Sequence, residues 1–134
     1  MSFNHKLGDI ATRSAGFESS KTILSQAIYT DLVLGKKWKE VDYKPVQSLD
    51  ICIFLAKDPD RHEQLFILPI FQENTKLSIE RIKDIFDLLS EDLAIEEEIE
   101  KLTLAIYAPD STIVYYHIKK GLTRPIQRNL EKST

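Results

Sequence analysis

The chain has 134 residues, 43% of them hydrophobic and 29% charged, with a formal net charge of -3. This composition is that of one globular domain able to bury a core without metals or disulfides, and its acidic balance argues against attachment to nucleic acid by bulk electrostatics alone. No apolar run approaches the ~20 residues that cross a bilayer and the first residues lack the apolar stretch of a secretory signal, so no membrane insertion and an intracellular compartment are expected.

The first 18 residues mix Ser, Gly, Asn and charges without period and are expected to form a disordered tail before a domain over 19–122. Ser19 or Ser20 then offers an N-cap, and Ile23, Leu24, Ala27, Ile28 and Leu32 follow at helical spacing until Gly35 stops the helix. Lys36 and Lys37 sit just past that stop, where the helix dipole favours cations. KWKEVD at 37–42 is expected as a short strand in which Trp38 anchors the helix to the sheet, with 44–48 as a connection.

Residues 49–56, LDICIFLA, are apolar on both faces and read as a central strand. Cys52, the single cysteine, has no internal partner and reads as a buried strand thiol. A polar turn over 57–63 leads to a return strand over 65–71, where Pro69 marks the point at which ladder pairing must stop or reach an edge. Ser78 is a good N-cap, with Leu77 and Ile82 as a hydrophobic staple, and Ile79, Ile82, Ile85, Phe86 and Leu89 line one face of the helix that follows. The acidic stretch 90–100 reads as a loop or frayed helix.

The strongest hairpin signal comes last: two β-rich runs over 101–118 split by the polar break 108–112. Its second run, Ile113, Val114, Tyr115, Tyr116, His117 and Ile118, is apolar and aromatic on both faces and precedes a basic C-terminal tail over 123–134. A last strand of this kind needs cover on both faces, so one face and its unpaired edge are a candidate docking surface for another chain. The expected fold is therefore α/β, or α+β, with a mostly antiparallel sheet packed by two helices.

Chemistry of the chain's own has little support. Phosphate-binding glycine motifs are absent, and His5, His62, His117 and Cys52 show no ligand spacing, so neither metal nor cofactor is expected. Glu96, Glu97 and Glu98 are adjacent acids of the kind that form solvated surface. Tyr115, His117 and Lys119 alternate onto one side of a strand and are the right groups for metal-free RNA cleavage, but neighbours on one side lie ~6.5 to 7 Å apart, which opposes convergence on one phosphate. The bases Lys119, Lys120, Arg124 and Arg128 offer a second alternative, a small RNA-binding module.

Taken in order, DLVLGKKWKEV, LPI, SIERIKDIF and LTLAIYAPDSTIVYYHIKKG resemble the Sen-fifteen family, the smallest non-catalytic subunits of the eukaryotic tRNA-splicing endonuclease. The likeness runs from about Thr22 to Pro125 and is most specific in Leu104 to Ile106 together with Asp110 to Tyr116. It implies a compact nuclease-like domain of the restriction-endonuclease kind in a heterotetramer of two catalytic and two structural subunits. That complex excises introns from precursor tRNA, leaving a 2',3'-cyclic phosphate and a 5'-hydroxyl. It implies a location in the nucleus, or on the cytosolic face of the mitochondrial outer membrane in yeast-like organisms. Catalytic relatives use tyrosine, histidine and lysine; here no histidine falls between His62 and His117, so only Lys101 lies near a catalytic position and no catalytic residue is expected. By the same resemblance, the strand 113–118 pairs with the smaller catalytic subunit, and the loop bearing Pro109, Asp110 and Ser111 enters a groove on the opposing pair. Lys119, Lys120 and Arg124 are carried as RNA contacts, and self-pairing of the edge would give a homodimer when the chain is alone.

Overall fold

The computed structural model describes residues 2–60, 63–72, 79–92 and 101–119. The N-terminal segment departs from expectation, because Phe3–Arg13 is a helix, α1. Ser2 caps it by accepting the His5 N–H at 3.2 Å, and Phe3, Leu7 and Ile10 share one face, with Ile10 wholly buried. Tyr43 donates its hydroxyl to Asp9 at 2.5 Å, and Arg13 bridges Asp9 at 3.1 Å with its guanidinium 5.1 Å from the Tyr43 ring centroid. Three apolar positions are too sparse a stripe for a short helix to stand alone. Docking on the sheet makes it, so among the described residues three helices rather than two pack this domain.

Helix α2, Ser19–Thr30, starts one residue earlier than a Ser19 cap and two earlier than a Ser20 cap would set: Glu18 occupies the N-cap without a side-chain cap bond, and Ser20 donates to its carboxylate at 2.9 Å. It buries Leu24, Ser25, Ile28 and Tyr29 and widens into a π-type turn over Asp31–Gly35, which ends at the expected glycine. The strands are β1 (Val41–Val46), β2 (Ile51–Asp58), β3 (Glu63–Phe71), β4 (Lys101–Tyr107) and β5 (Ile113–Lys119), with α3 (Ile79–Asp92) between β3 and β4. They lie in one sheet in chain order, antiparallel except for the parallel pair β3 and β4.

Strand boundaries moved: β2 runs over Ile51–Asp58 rather than 49–56, and β3 starts at Glu63 rather than 65. β1 begins later than the KWKEVD reading and takes in Lys44, Pro45 and Val46, which pair with Ile53, Cys52 and Ile51. An edge strand tolerates a proline because its nitrogen need not donate to a neighbour. β2 is buried over Ile51–Phe54 and again at Ala56, as a strand apolar on both faces must be, yet it is second in the order and β3 holds the centre. The β2–β3 ladder ends at Ile67, two residues before Pro69, while β3 continues along β4.

Alternation sorts the sheet into two faces. Tyr43, Cys52, Phe54, Ile67, Thr103 and Tyr115 share the face under α1 and α2, and Cys52 is buried there with its thiol 3.5 Å from the Ser14 hydroxyl and its pKa pushed up by burial. Ile51, Ile53, Leu68, Leu102, Leu104 and Ile118 are buried on the other face, where Ile82, Ile85, Phe86 and Leu89 of α3 supply the cover among the described residues. Leu77, Ser78, most of the acidic stretch 90–100, Lys120, Arg124 and the tail 123–134 lie outside the described residues. Among those described, no helix is long and apolar enough to cross a membrane.

Candidate functional site

β5 closes the sheet, and no strand among the described residues pairs with its outer edge. Its inner edge is fully registered on β4, from Tyr107 opposite Ile113 to Lys101 opposite Lys119. Ile118 is buried, Ile113, Tyr115 and Tyr116 are half-buried, and Val114 is 38% exposed. Val114 and Tyr116 fall on the α3 side of the sheet and, with Ile70 and Ile106, line a shallow apolar depression of about 110 Å³. An unpaired strand edge flanked by exposed apolar side chains is sheet-extending material: a second strand would satisfy its backbone groups and cover the depression together.

The other face of β5 is fixed by groups far away in sequence. Tyr115 donates its hydroxyl to the Asp31 carboxylate at 2.6 Å, and the Lys36 ammonium lies 4.5 Å from the Tyr115 ring centroid and 5.6 Å from that of Trp38. Burial, and then the bond to Asp31, push the Tyr115 phenol well above the ordinary tyrosine range. Gly35 makes room for this arrangement, since a methyl group there would meet Asp31 Oδ1 at 2.7 Å. These contacts tie the outer strand to the π turn.

The hairpin loop is equally set. Ala108 N–H donates to Thr112 O at 2.8 Å, Ser111 N–H to Ala108 O at 3.0 Å, and the Tyr107 hydroxyl to Ser111 Oγ at 3.2 Å, while Ser111 takes a left-handed φ of 71°. Asp110 accepts the Thr112 N–H at 3.0 Å; hydrogen bonds from the Thr112 side chain and backbone hold its carboxyl below the ordinary aspartate value. An acid whose ionised form is favoured by these bonds therefore stands at the loop tip, fully exposed, and Pro109 and Ser111 frame it.

Residues weighed for cleavage do not converge. The Tyr115 hydroxyl is committed to Asp31, and His117 Nδ1 lies 2.8 Å from Thr103 Oγ1 on the neighbouring strand. A phenol that is protonated and already donating is no base. Lys119 is exposed at the end of β5, and Lys101 pairs with Glu63 at 3.0 Å. Among the described residues no three His, Cys, Asp or Glu side chains cluster as metal ligands. Sequence reasoning missed Asp31 and Lys36 as supports of β5. Only the small residue at 35, four positions after Asp31, hinted that something folds back over the turn.

The pattern of the Sen15 protein family matches residues 27–129, which takes in all five strands and the loop bearing Asp110. A probable tRNA-splicing endonuclease subunit sen15 from Schizosaccharomyces pombe is 32% identical, over 79% of this chain and 83% of its own length. The tRNA-splicing endonuclease subunit Sen15 of Mus musculus is 28% identical, over 84% of this chain and 67% of its own. With the sheet, its free edge and its loop all inside the match, the chain belongs to the Sen15 family.

Proposed function

We propose that this chain is a non-catalytic, structural subunit of a tRNA-splicing endonuclease and that β5 is the strand through which it joins the smaller catalytic subunit. The observation that carries the reading is the outer edge of β5, unpaired among the described residues beside the exposed Val114 and the depression it lines. Backbone hydrogen bonds across that edge and burial of Val114 and Tyr116 supply the binding energy. The rigid loop with Asp110 is suited to a basic groove on the opposing pair, completing a heterotetramer. Cleavage of precursor tRNA, leaving a 2',3'-cyclic phosphate and a 5'-hydroxyl, then belongs to the catalytic partners, and the domain is the nuclease-like fold of the family used as a scaffold. A nuclear or mitochondrial-surface location goes with that role.

Co-expression with the smaller catalytic subunit, followed by native mass measurement, is expected to give a one-to-one pair that survives dilution. A chain that stays monomeric beside that partner at high concentration would sink the reading. Incubating the purified chain with intron-containing precursor tRNA in chelator tests the rival ribonuclease: the scaffold reading expects no cut, whereas cleavage abolished by His117→Ala would establish an independent enzyme.

A further inference from the structure

A concavity of about 930 Å³ lies at the end of the sheet where β1 begins and β2 ends. Lys6 of α1, Lys37 and Lys39 of the segment before β1, and Lys57 of β2 line it, against Glu40 and Asp42. Four cations over two anions reverse the sign of a chain whose formal charge is -3. Among the described residues none of these four lysines is held in an ion pair. Lys37 adopts a left-handed φ of 59°, an uncommon conformation for a side chain of its length, next to Trp38, which is half-buried in the wall. A fifth ammonium, Lys36, rests 5.6 Å from the Trp38 ring centroid. The ladder registers place Lys119 at this same end of the sheet, beyond β3 and β4.

We propose that this cleft binds the phosphodiester backbone of single-stranded RNA, with a base laid against Trp38. Lysines drawn from three separate elements around one concavity track a chain of charges better than they grip one ion, and an aromatic wall accepts any base by stacking. Preference for RNA over an acidic peptide rests on Trp38 and, in part, on the proposed role in tRNA splicing. The two readings can fail independently, because no residue of β4 or β5 lines the cleft and the assembly edge is untouched by it.

Trp38 is the chain's only tryptophan, so its fluorescence reports this cleft alone. Titrating the full chain with an oligouridylate of about ten nucleotides, a length within the usual site size for single strands, is expected to change that emission saturably. The affinity should fall as salt rises. Combining Lys37→Asn, Lys39→Ala and Lys57→Ala removes three phosphate partners and should lower the slope of log K against log salt by about 2, weakening binding about tenfold or more at low salt. Asparagine is chosen at 37 because it tolerates the left-handed backbone, and an unchanged circular dichroism melt certifies the fold. No emission change in the parent chain, or an unaltered slope in the triple variant, overturns the proposal. Binding that survives the triple variant but vanishes when residues 122–134 are removed overturns it in favour of the tail. Polyglutamate that changes the emission as strongly as the oligonucleotide overturns it in favour of an acidic protein partner.

Discussion

The two edges of the sheet are built to opposite ends. β1 carries Asp42, Lys44 and Pro45 and is clamped by α1 through the bonds from Tyr43 and Arg13 to Asp9, so a stray strand meets charge, a missing donor and a helix. β5 has no proline, and from Ile113 to Tyr116 no charge, and it presents Val114 to solvent beside Tyr116. One edge is defended and the other, among the described residues, is open. An aromatic edge left unpaired invites aggregation, and the strand pairing proposed above would cover it.

The largest effect should come from charging the open edge. Val114→Asp with Tyr116→Asp is expected to weaken pairing with the catalytic subunit by a hundredfold or more, about 3 kcal/mol, as for central anchors of an interface. Since Val114 is 38% exposed and Tyr116 half-buried, the isolated variant should still fold, and native mass measurement beside a thermal melt separates the two effects. Unchanged assembly would erase the contrast between the edges.

Next in size is the support behind the edge. Tyr115→Phe removes a hydrogen bond to a carboxylate and should cost about 1.5 kcal/mol in chemical denaturation. Its pH signature has a definite sign. The Tyr115 value is raised above the ordinary 10.0, so the stability that its hydroxyl contributes is whole below pH 10 and is lost as the pH climbs through its folded-state value. Tyr29 and Tyr43 are raised too, so the test is the difference: the gap between parent and Tyr115→Phe should narrow in alkali. A gap that stays constant into alkali would show that ionisation of the Tyr115 hydroxyl is not linked to folding, and no gap at all that the bond to Asp31 contributes nothing.

Smaller changes sharpen the comparison further. Asp110→Asn should leave the melt of the isolated chain almost unmoved while loosening contact between the two halves of the proposed tetramer a few-fold, most visibly at low salt where an exposed charge acts. Its ionisation is favoured in the fold, so whatever Asp110 contributes is present at neutral pH and disappears on acidification below the ordinary 3.8. Disarming the defended edge with Asp42→Val, Lys44→Val and Pro45→Val should give weak self-association by sedimentation, without loss of catalytic-subunit binding.

Much of this was legible in the residues. Strict apolar runs such as Ile51 to Ala56, turn chemistry at Asp58 and Pro109, and the 3.6-residue stripe of Ile82, Ile85, Phe86 and Leu89 are local signals, and local signals give strands, turns and helices directly. α1 was not legible, since its stability comes from Asp9, Tyr43 and Arg13 meeting across more than thirty positions of sequence. β1 was misplaced because Lys44 and Pro45 read as breakers until the strand is known to lie at an edge. The open edge itself could be read, as an unmet need for cover in 113–118; the bond from Tyr115 to Asp31 spans 84 positions and leaves no trace in periodicity.

The parallel join between β3 and β4 has a consequence in time. β1, β2 and β3 close over short turns, but β4 attaches only after the chain from Phe71 to Lys101, helix included, has crossed over the sheet, and such long closures are entropically late. The β4–β5 hairpin is thus expected to be the final piece to settle, with amide protection in β2 preceding that in β4 in pulsed exchange. A nascent copy would then advertise itself for recruitment only once the rest of its architecture is finished, a maturation check written into strand order.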